Sequence, residues 1–359
     1  MVNELGMERL RAMGIADRRF SSSSDVVAWH GAMQAQDFPG LLWSIALRRG
    51  DKPTMRQIRE SLVRERLVRS WPMRGTLHLM HPSSASWMIA TLARRREGTA
   101  ATRARQLGLT EGDVDRSREA LCRALAGGEV LSRAGVYEVF ERAAVSPDGQ
   151  RGYHLLARLA REGLVCHGPD LDGQPGFVSL RSWVGDLGGD TPADPVAELA
   201  LRYVQGHGPV SIADFARWAD LPITKARTAF RAWSDRISSS DETDSGLWFP
   251  ESSTDSSRGA GLYLLPGFDE FILGYRDRSE VIAPEHLDKL VPGGNGVFRA
   301  TIVWRGQVVG FWRRTVTARS VRLSAEWLQT PSAAQVDAFD RACREYADFL
   351  EVSLHAPTK

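Results

Sequence analysis

Two glutamines separated by a single residue, Gln34 and Gln36, are the side chains whose type and spacing most suggest chemistry. A neutral amide donates and accepts hydrogen bonds, so such a pair can hold a water molecule but cannot act as a strong general base. The two amides share a direction only in an extended or kinked segment, because positions i and i+2 of a helix point in different directions. Pro39 disfavours helical geometry at Phe38, so we expect the preceding helix to end near Gln34 to Asp37 and a new helix to begin at Pro39. The spacing alone is also typical of polar linker residues that satisfy loose backbone groups.

Composition indicates an ordinary folded protein without a membrane span. A chain of 359 residues suggests two to four small domains or one large one, and a hydrophobic content of 43% is sufficient for packed cores. No apolar run approaches the roughly 18 residues of a membrane helix, and the first residues lack a secretory signal pattern. Cys122, Cys166 and Cys343 lie far apart, which fits a reducing compartment and gives no metal site. We therefore expect a cytoplasmic protein without a metal or cofactor.

Positive charge is concentrated in one part of a nearly neutral chain. Residues 48 to 105 hold 14 Arg or Lys against 4 Asp or Glu, whereas residues 241 to 290 hold 4 against 11. One basic region on a chain of net charge +2 favours a surface that faces a polyanion. The alternative is a compositional bias toward arginine, since only Lys52, Lys225, Lys289 and Lys359 are lysines.

Three separated blocks carry a resemblance to a known family. The segment His30 to Gly40 has the sequence HGAMQAQDFPG, Arg69 to Leu79 has RSWPMRGTLHL, and Leu264 to Arg278 has LLPGFDEFILGYRDR. The blocks and their order resemble tandem winged-helix DNA glycosylases of the AlkZ type, with their glutamine-x-glutamine signature. The wider family includes YcaQ-like enzymes, in which aspartate replaces the second glutamine. The resemblance implies that Gln34 and Gln36 are catalytic.

The helix and hairpin patterns, taken with this resemblance, predict an α+β fold that is mainly α. We expect three tandem winged-helix modules, at residues 1–105, 106–190 and 191–240, around a C-shaped DNA-binding channel. A small β-rich domain at 241–359 should end in a helix from Ala333 to Leu350. In the first module, Val68 to Met80 alternates like a hairpin that turns near Arg74 and Gly75. The other predicted strands are Gly261 to Leu265, Phe271 to Tyr275, Phe298 to Trp304, Val308 to Arg313 and Ser320 to Leu323.

Candidate DNA-binding residues come from the basic region and from the third block. They are Arg69, Arg74, His78, Arg94, Arg95, Arg96, Arg276 and Arg278. Arginines on such a surface bind phosphates without reference to sequence. His78 fits a structural histidine equally well, and the Asp269–Glu270 pair is either structural or helps to orient the glutamines. Asp37 is a second candidate base.

The predicted activity is hydrolysis of the N-glycosidic bond of N7-alkylguanine in double-stranded DNA, including interstrand crosslinks, by a monomeric, monofunctional enzyme. All four lysines lie outside the three blocks, which disfavours a Schiff-base intermediate and leaves water as the nucleophile. A transcriptional regulator of the winged-helix class is the alternative, and a catalytically silent scaffold is a weaker one. The setting would be DNA repair or self-resistance to a DNA-alkylating metabolite, with the protein associated with the nucleoid through DNA.

Overall fold

The computed structural model of the chain describes residues 2–93, 97–171, 173–240, 246–250, 261–294 and 296–355. The fold is mixed α/β, and about half of the described residues are helical. The helices are α1 Glu4–Ala12, α2 Ser23–His30, α3 Phe38–Ala46, α4 Met55–Arg64, α5 Pro82–Leu92, α6 Glu97–Gln106, α7 Glu111–Ala124, α8 Arg133–Arg142, α9 Arg151–Arg161, α10 Leu180–Val184, α11 Pro195–His207, α12 Ile212–Trp218, α13 Ile223–Arg231, α14 Glu270–Leu273 and α15 Ala333–Leu350. The strands are β1 Ala32–Gln34, β2 Val68–Met73, β3 Thr76–Met80, β4 Val165–Leu171, β5 Gln174–Ser179, β6 Ile237–Ser239, β7 Trp248–Pro250, β8 Leu262–Leu265, β9 Thr301–Trp304, β10 Gln307–Val316, β11 Ser320–Trp327 and β12 Ser353–Leu354. Within the described ranges, no helix is both long and apolar enough to cross a membrane.

Contacts within the chain group it into two compact units. The first consists of residues 1–62 and 196–359, and the second of residues 63–195. The glutamine pair, the late strands and the final helix all belong to the first unit.

A five-stranded sheet with the order β12-β11-β10-β9-β8 is the largest β-structure of the first unit. Its strands pair antiparallel except for β12, which runs parallel to β11. A bulge between Val308 and Gly310 interrupts the pairing of β10 with β9. The final helix α15 has the bounds that its apolar spacing predicts. It begins at Ala333 because Ser332 forms a capping box with Gln335.

Aromatic side chains join α3 and α15 to this sheet. Trp43 of α3 packs against Tyr346 and Phe349 of α15, with ring centroids 5.0 and 4.9 Å apart, and its indole N–H donates to Leu264 O at 2.7 Å. Trp312 of β10 also packs against Tyr346, at 5.1 Å between centroids. Buried aromatic contacts of this kind fix the direction of α3 relative to β8.

Helices α11, α12 and α13 are followed by the β6–β7 hairpin, also in the first unit. Val210 forms a single antiparallel bridge with Trp248, and the next residue, Ser211, caps α12 in a capping box with Asp214. The succession here is therefore a bridge residue, a helix pair and a hairpin.

The second unit contains the same succession of elements. Helices α7, α8 and α9 precede the β4–β5 hairpin, and Leu131 bridges Phe177 directly before the cap of α8 at Ser132. The β2–β3 hairpin pairs antiparallel with β4 through Arg69 and His167. The core of this unit includes Trp71, Phe140, Leu155, Leu159 and Phe177.

One predicted helix end and one predicted strand are wrong, and the strand predicted from Phe298 begins only at Thr301. Helix α2 ends at His30, not near the glutamines, because Gly31 adopts φ +72° and a side chain is disfavoured there. The segment predicted as a strand from Phe271 to Tyr275 begins as helix α14, because Asp269 caps it by accepting a hydrogen bond from the backbone N–H of Phe271. The hairpin turn at Arg74 and Gly75 is confirmed, and the assignment of residues to modules stays a prediction.

Candidate active site

The glutamine motif lies in the short extended segment between α2 and α3. Strand β1 ends at Gln34, and α3 begins at Phe38 with Pro39 in its first turn, one residue before the predicted start. The intervening residues are not helical, which is the condition for Gln34 and Gln36 to share a direction. The break is therefore present, although it begins at Gly31 and not at the glutamines.

Gln34 is held at its backbone and at its side chain. Its backbone N–H donates to Glu270 Oε1 at 3.0 Å, and its own Oε1 accepts from the N–H of Ala35 at 3.1 Å. The residue is 9% exposed. The Ala35 contact takes one of the two lone pairs of the amide oxygen, and the NH₂ group of the side chain is a hydrogen-bond donor.

Gln36 differs from Gln34 in being exposed to solvent. The residue after it, Asp37, occupies the cap position of α3 without a side-chain capping bond. A Cβ atom at Gly40 would lie 2.3 Å from Asp37 Oδ2, so a side chain at this position would displace the carboxylate from over the first turn. Arg314 Nη2 lies 3.9 Å from Asp37 Oδ1. Asp37 is thus placed at the start of α3, beside a cation.

A small cleft opens beside Gln34. Its wall is formed by the end of β1, the first turns of α3 and the loop before α14, and it encloses about 200 Å³ of space, part of it continuous with solvent. Its lining residues are Met33, Gln34, Gly40, Leu41, Ser44, Pro266, Gly267, Phe268 and Glu270. The first and third sequence blocks therefore meet at one cleft.

Asp269 forms a buried ion pair with Arg48. The guanidinium donates from Nη1 to Oδ2 at 3.0 Å and from Nη2 to Oδ1 at 3.1 Å, and both side chains are fully buried. The hydroxyl of Ser44 donates to Oδ2 at 2.6 Å. This bidentate pair fastens the end of α3 to the start of α14, and so holds two walls of the cleft together.

Arg48 also contacts a buried histidine at the end of α2. Its Nε donates to His30 Nε2 at 3.3 Å, while His30 Nδ1 donates to Val26 O at 2.8 Å. Burial is the main cause that holds the pKa of His30 well below its usual range, and the Arg48 guanidinium is the second cause. His30 is therefore neutral, and it accepts a hydrogen bond from Arg48 where the motif segment begins.

Glu270 connects the motif to α11 and α12. Its Oε1 accepts from the backbone N–H of Gln34, and its Oε2 accepts from Trp218 Nε1 at 2.9 Å. His207 Nε2 lies 3.4 Å from the same Oε2. Asp269 and Glu270 therefore have separate partners, and Glu270 is the one that contacts a predicted catalytic residue.

The predicted DNA-binding residues of the first hairpin lie in the second unit, at its turn and in its strands. Arg74, with φ +56°, stands in the turn and donates from Nη2 to His78 Nε2 at 2.7 Å. His78 is fully buried, and its Nδ1 donates to Thr76 O at 3.0 Å, so its ring holds the arginine. Arg69 is half-buried, and burial lowers its pKa to about 10, with a smaller effect from Arg133.

The two candidates of the third block have different surroundings. Arg276 has an exposed side chain, and its backbone N–H donates to Asp214 at 2.7 Å. Arg278 donates to Ile272 O at 2.8 Å and lies 5.1 Å over the Phe298 ring. Arg94, Arg95 and Arg96 lie outside the described residues.

Several residues around the cleft were not predicted from the sequence. Arg48 stands at the end of an apolar run, and a charged residue in that position is a signal for a buried partner, but the partner lies 221 residues away. Glu270 belongs to the pair for which the sequence left open a role in orienting the glutamines, but its contact with Gln34 spans 236 residues and has no local signal. The β10–β11 hairpin also carries exposed arginines near its tip, namely Arg313, Arg319 and Arg322.

Comparisons with known proteins identify the family of the chain. The family model described as DNA glycosylase AlkZ-like matches residues 27–349. An interstrand DNA cross-link repair glycosylase from Streptomyces sahachiroi is 30% identical over 319 residues, which cover 85% of each chain. The solved structure of Streptomyces sahachiroi DNA glycosylase AlkZ has a TM-score of 0.80 and 24% identity, covering 99% of this chain and 98% of that one. The chain belongs to the AlkZ-like DNA glycosylase family.

Proposed function

We propose that this DNA glycosylase hydrolyses the N-glycosidic bond of N7-alkylguanine with water as the nucleophile. The observation that carries the proposal is the position of Gln34, an amide held at a cleft by Glu270 and Ala35. An amide is too weak a base to remove a proton fully from water. The bond that it helps to break must therefore already be prone to cleavage.

N7-alkylguanine meets this requirement because the base carries a positive charge and departs as a neutral molecule. The enzyme then has to place a water near C1′ and favour oxocarbenium character in the sugar. Gln34 donates from its NH₂ group to one lone pair of the water, and Gln36 Oε1 accepts a hydrogen bond from the water. The second lone pair then faces C1′. The Ala35 contact, which takes one of the two lone pairs of the Gln34 carbonyl, supports this division of roles. The water loses a proton to solvent once the C1′–O bond has formed and the neutral base has left.

The proposed enzyme is monofunctional and leaves an abasic site. A coupled strand cleavage by Schiff-base chemistry needs an amine nucleophile at the reacting carbon. The residues that line the cleft include no lysine within the part of the chain that the structure describes. Water is therefore the proposed nucleophile.

We propose interstrand crosslinks as substrates alongside monoadducts. The related Streptomyces sahachiroi protein is named for cross-link repair. A base joined to the opposite strand cannot be fully extruded without strain, and full extrusion suits small lesions. The space in the cleft that a water-sized sphere can occupy is about 10 Å³, far below the roughly 300–1,000 Å³ of pockets that engulf a ligand. Its small size supports attack on the sugar from one side rather than enclosure of the whole adduct.

DNA binding is assigned to winged-helix modules and to arginines. We propose three such modules, with a C-shaped channel as the DNA path. Arg74 is held in its turn by His78, which gives the His78 ring a positioning role rather than a direct contact. The exposed Arg313, Arg319 and Arg322 of the late hairpin are further candidates for phosphate contacts. Duplex DNA is the proposed partner, bound by a monomer, in repair or in self-resistance to a DNA-alkylating metabolite.

Base release from a duplex with one N7-alkylguanine tests this function. The wild type should release the modified base and leave a site that alkali cleaves, whereas the Gln34→Ala/Gln36→Ala variant should bind the duplex and release nothing. Methyl, mustard and crosslinked adducts should be compared at one salt concentration, because binding of phosphates is salt-dependent. No release from any of them, with tight binding of one DNA sequence, would favour a winged-helix transcriptional regulator, which the family assignment does not favour.

A further inference from the structure

Glu270 is a carboxylate at the cleft whose role the glutamine motif does not explain. It lines the cleft, is 1% exposed, and receives hydrogen bonds from two directions. Gln34 donates to Oε1 from the motif strand, and Trp218 donates to Oε2 from α12. A carboxylate at this place is costly to bury, and its presence calls for a reason beyond filling space.

The neighbouring Asp269 shows what a structural carboxylate does in the same loop. Its charge is matched by the Arg48 guanidinium through two hydrogen bonds, and its Oδ1 caps α14. The groups around Glu270 include a backbone amide, an indole and the His207 ring. Glu270 thus lies between the motif and two helices of the same unit, at the wall of the cleft.

We propose that Glu270 is a positioning residue of the glycosylase reaction. It fixes the backbone of Gln34 and places a negative charge behind the point at which positive charge develops on the sugar. This inference rests on the proposed function, since the cleft must be the reaction site. A preorganised charge in a water-poor site stabilises a developing opposite charge without reorganisation during the reaction.

The two parts of this role can be separated by substitution. Glu270→Gln keeps the volume and an oxygen that can accept the Gln34 N–H, but removes the charge and turns its NH₂ group toward the Trp218 indole N–H. Glu270→Ala removes the charge and the acceptor together. Asp113→Asn is the matched control, because Asp113 is a buried carboxylate in the capping box of α7, in the second unit.

Three measurements should be made on the full-length variants. They are the single-turnover rate of base release at saturating enzyme, the dissociation constant for the same duplex, and hydrogen exchange of the peptide that contains Gln34. Glu270→Gln should slow release by about 100-fold, the order expected for the loss of one preorganised electrostatic contact. Duplex affinity and protection of the Gln34 amide should be unchanged in this variant, and Asp113→Asn should stay within about twofold of the wild-type rate.

Salt distinguishes a buried charge at the cleft from a charge that acts through DNA binding. Because Glu270 is buried, the ratio of the Glu270→Gln rate to the wild-type rate should stay constant as salt rises, while affinity falls for both. A wild-type release rate in Glu270→Gln would overturn the proposal. A loss of rate that only follows a loss of folded protein or of DNA binding would do the same.

Failure of the proposed function would leave a different result. In that case the wild type itself releases no base from any adduct, whatever residue occupies position 270. The exchange measurement still tests the anchoring of the motif. Fast exchange at Gln34 in Glu270→Ala supports the anchor, and unchanged protection refutes it.

Discussion

Replacing Asp269 with asparagine should lower the free energy of unfolding of the first unit by about 3–5 kcal/mol, because the Arg48 guanidinium stays buried without a carboxylate. Both side chains are fully buried, and two hydrogen bonds of 3.0 and 3.1 Å join them. Asparagine keeps an oxygen for the Phe271 N–H but turns an amide NH₂ toward the guanidinium. The loss is therefore electrostatic, without a cavity.

A double-mutant cycle with Arg48→Met determines how much of this energy belongs to the pair. Arg48→Met alone leaves the carboxylate of Asp269 buried without its cation and should also cost about 3–5 kcal/mol. The double variant removes both charges of the pair. It should therefore cost less than either single variant, with about 1–3 kcal/mol remaining for polar groups such as His30 Nε2 that lose a partner.

Urea unfolding followed by tryptophan fluorescence and far-UV circular dichroism would measure these energies. Each transition should be fitted separately, since the two units need not unfold together. Glu326→Gln is the control, because the Arg299–Glu326 pair is partly exposed and its loss should cost under about 1 kcal/mol. Two results would show that the two charges do not depend on each other. One is a cost below about 1 kcal/mol for each single variant, and the other is a double variant whose cost equals the sum of the two single costs.

Burial of His167 in the second unit, with a smaller effect of Arg69, lowers its pKa from the usual 6.5 to about 3, so its neutral form is favoured in the folded chain. The stability that this shift contributes is complete above pH 6.5 and is lost as pH falls toward 3. Between pH 8 and pH 5, the free energy of unfolding in urea should therefore fall by about 2 kcal/mol more for the wild type than for His167→Leu. Equal decreases in the two proteins would contradict this. Replacing Arg74 with alanine should weaken duplex binding in an anisotropy titration and leave the single-turnover release rate at saturation unchanged. A slower rate at unchanged affinity would show that Arg74 does not contribute to DNA binding. Replacing Arg313 and Arg322 together with glutamine should reduce the slope of log binding constant against log salt by about 1.8, the value for two lost phosphate contacts, and an unchanged slope would place the DNA elsewhere.

Elements with a strong local signal were predictable from the sequence. The β2–β3 hairpin turns at Arg74 and Gly75, where both residues have positive φ, and α15 begins at the capping box of Ser332. Both features depend on side chains within a few positions of one another. A sequence pattern contains that information directly.

Boundaries that depend on a single residue were harder to place. The sequence predicts that α2 ends between Gln34 and Asp37, whereas the helix ends at His30 because the glycine that follows adopts φ +72°. In the third block, the apolar residues from Phe271 to Tyr275 fit a strand or a short helix equally well. The cap at Asp269 decides for the helix.

The contacts that build the cleft could not be predicted, because they join residues far apart in the chain. Gln34 meets Glu270, and Arg48 meets Asp269, because α3 packs against β8, the strand that precedes α14. Periodicity gives the buried face of α3 but not the residue that the face meets. The sequence blocks therefore pointed to the glutamines and to the Asp269–Glu270 pair, while the structure was required to show that Glu270 is the carboxylate that contacts Gln34.

Identification of the products from one defined duplex decides whether the glutamine motif carries out base release. A duplex with a single N7-alkylguanine should be incubated with the wild type and with the Gln34→Ala/Gln36→Ala variant, and both products should be identified by mass. We expect free alkylguanine and an intact strand with one abasic site from the wild type, and only starting material from the variant. Equal base release by both proteins would mean that the chemistry lies outside the glutamine motif.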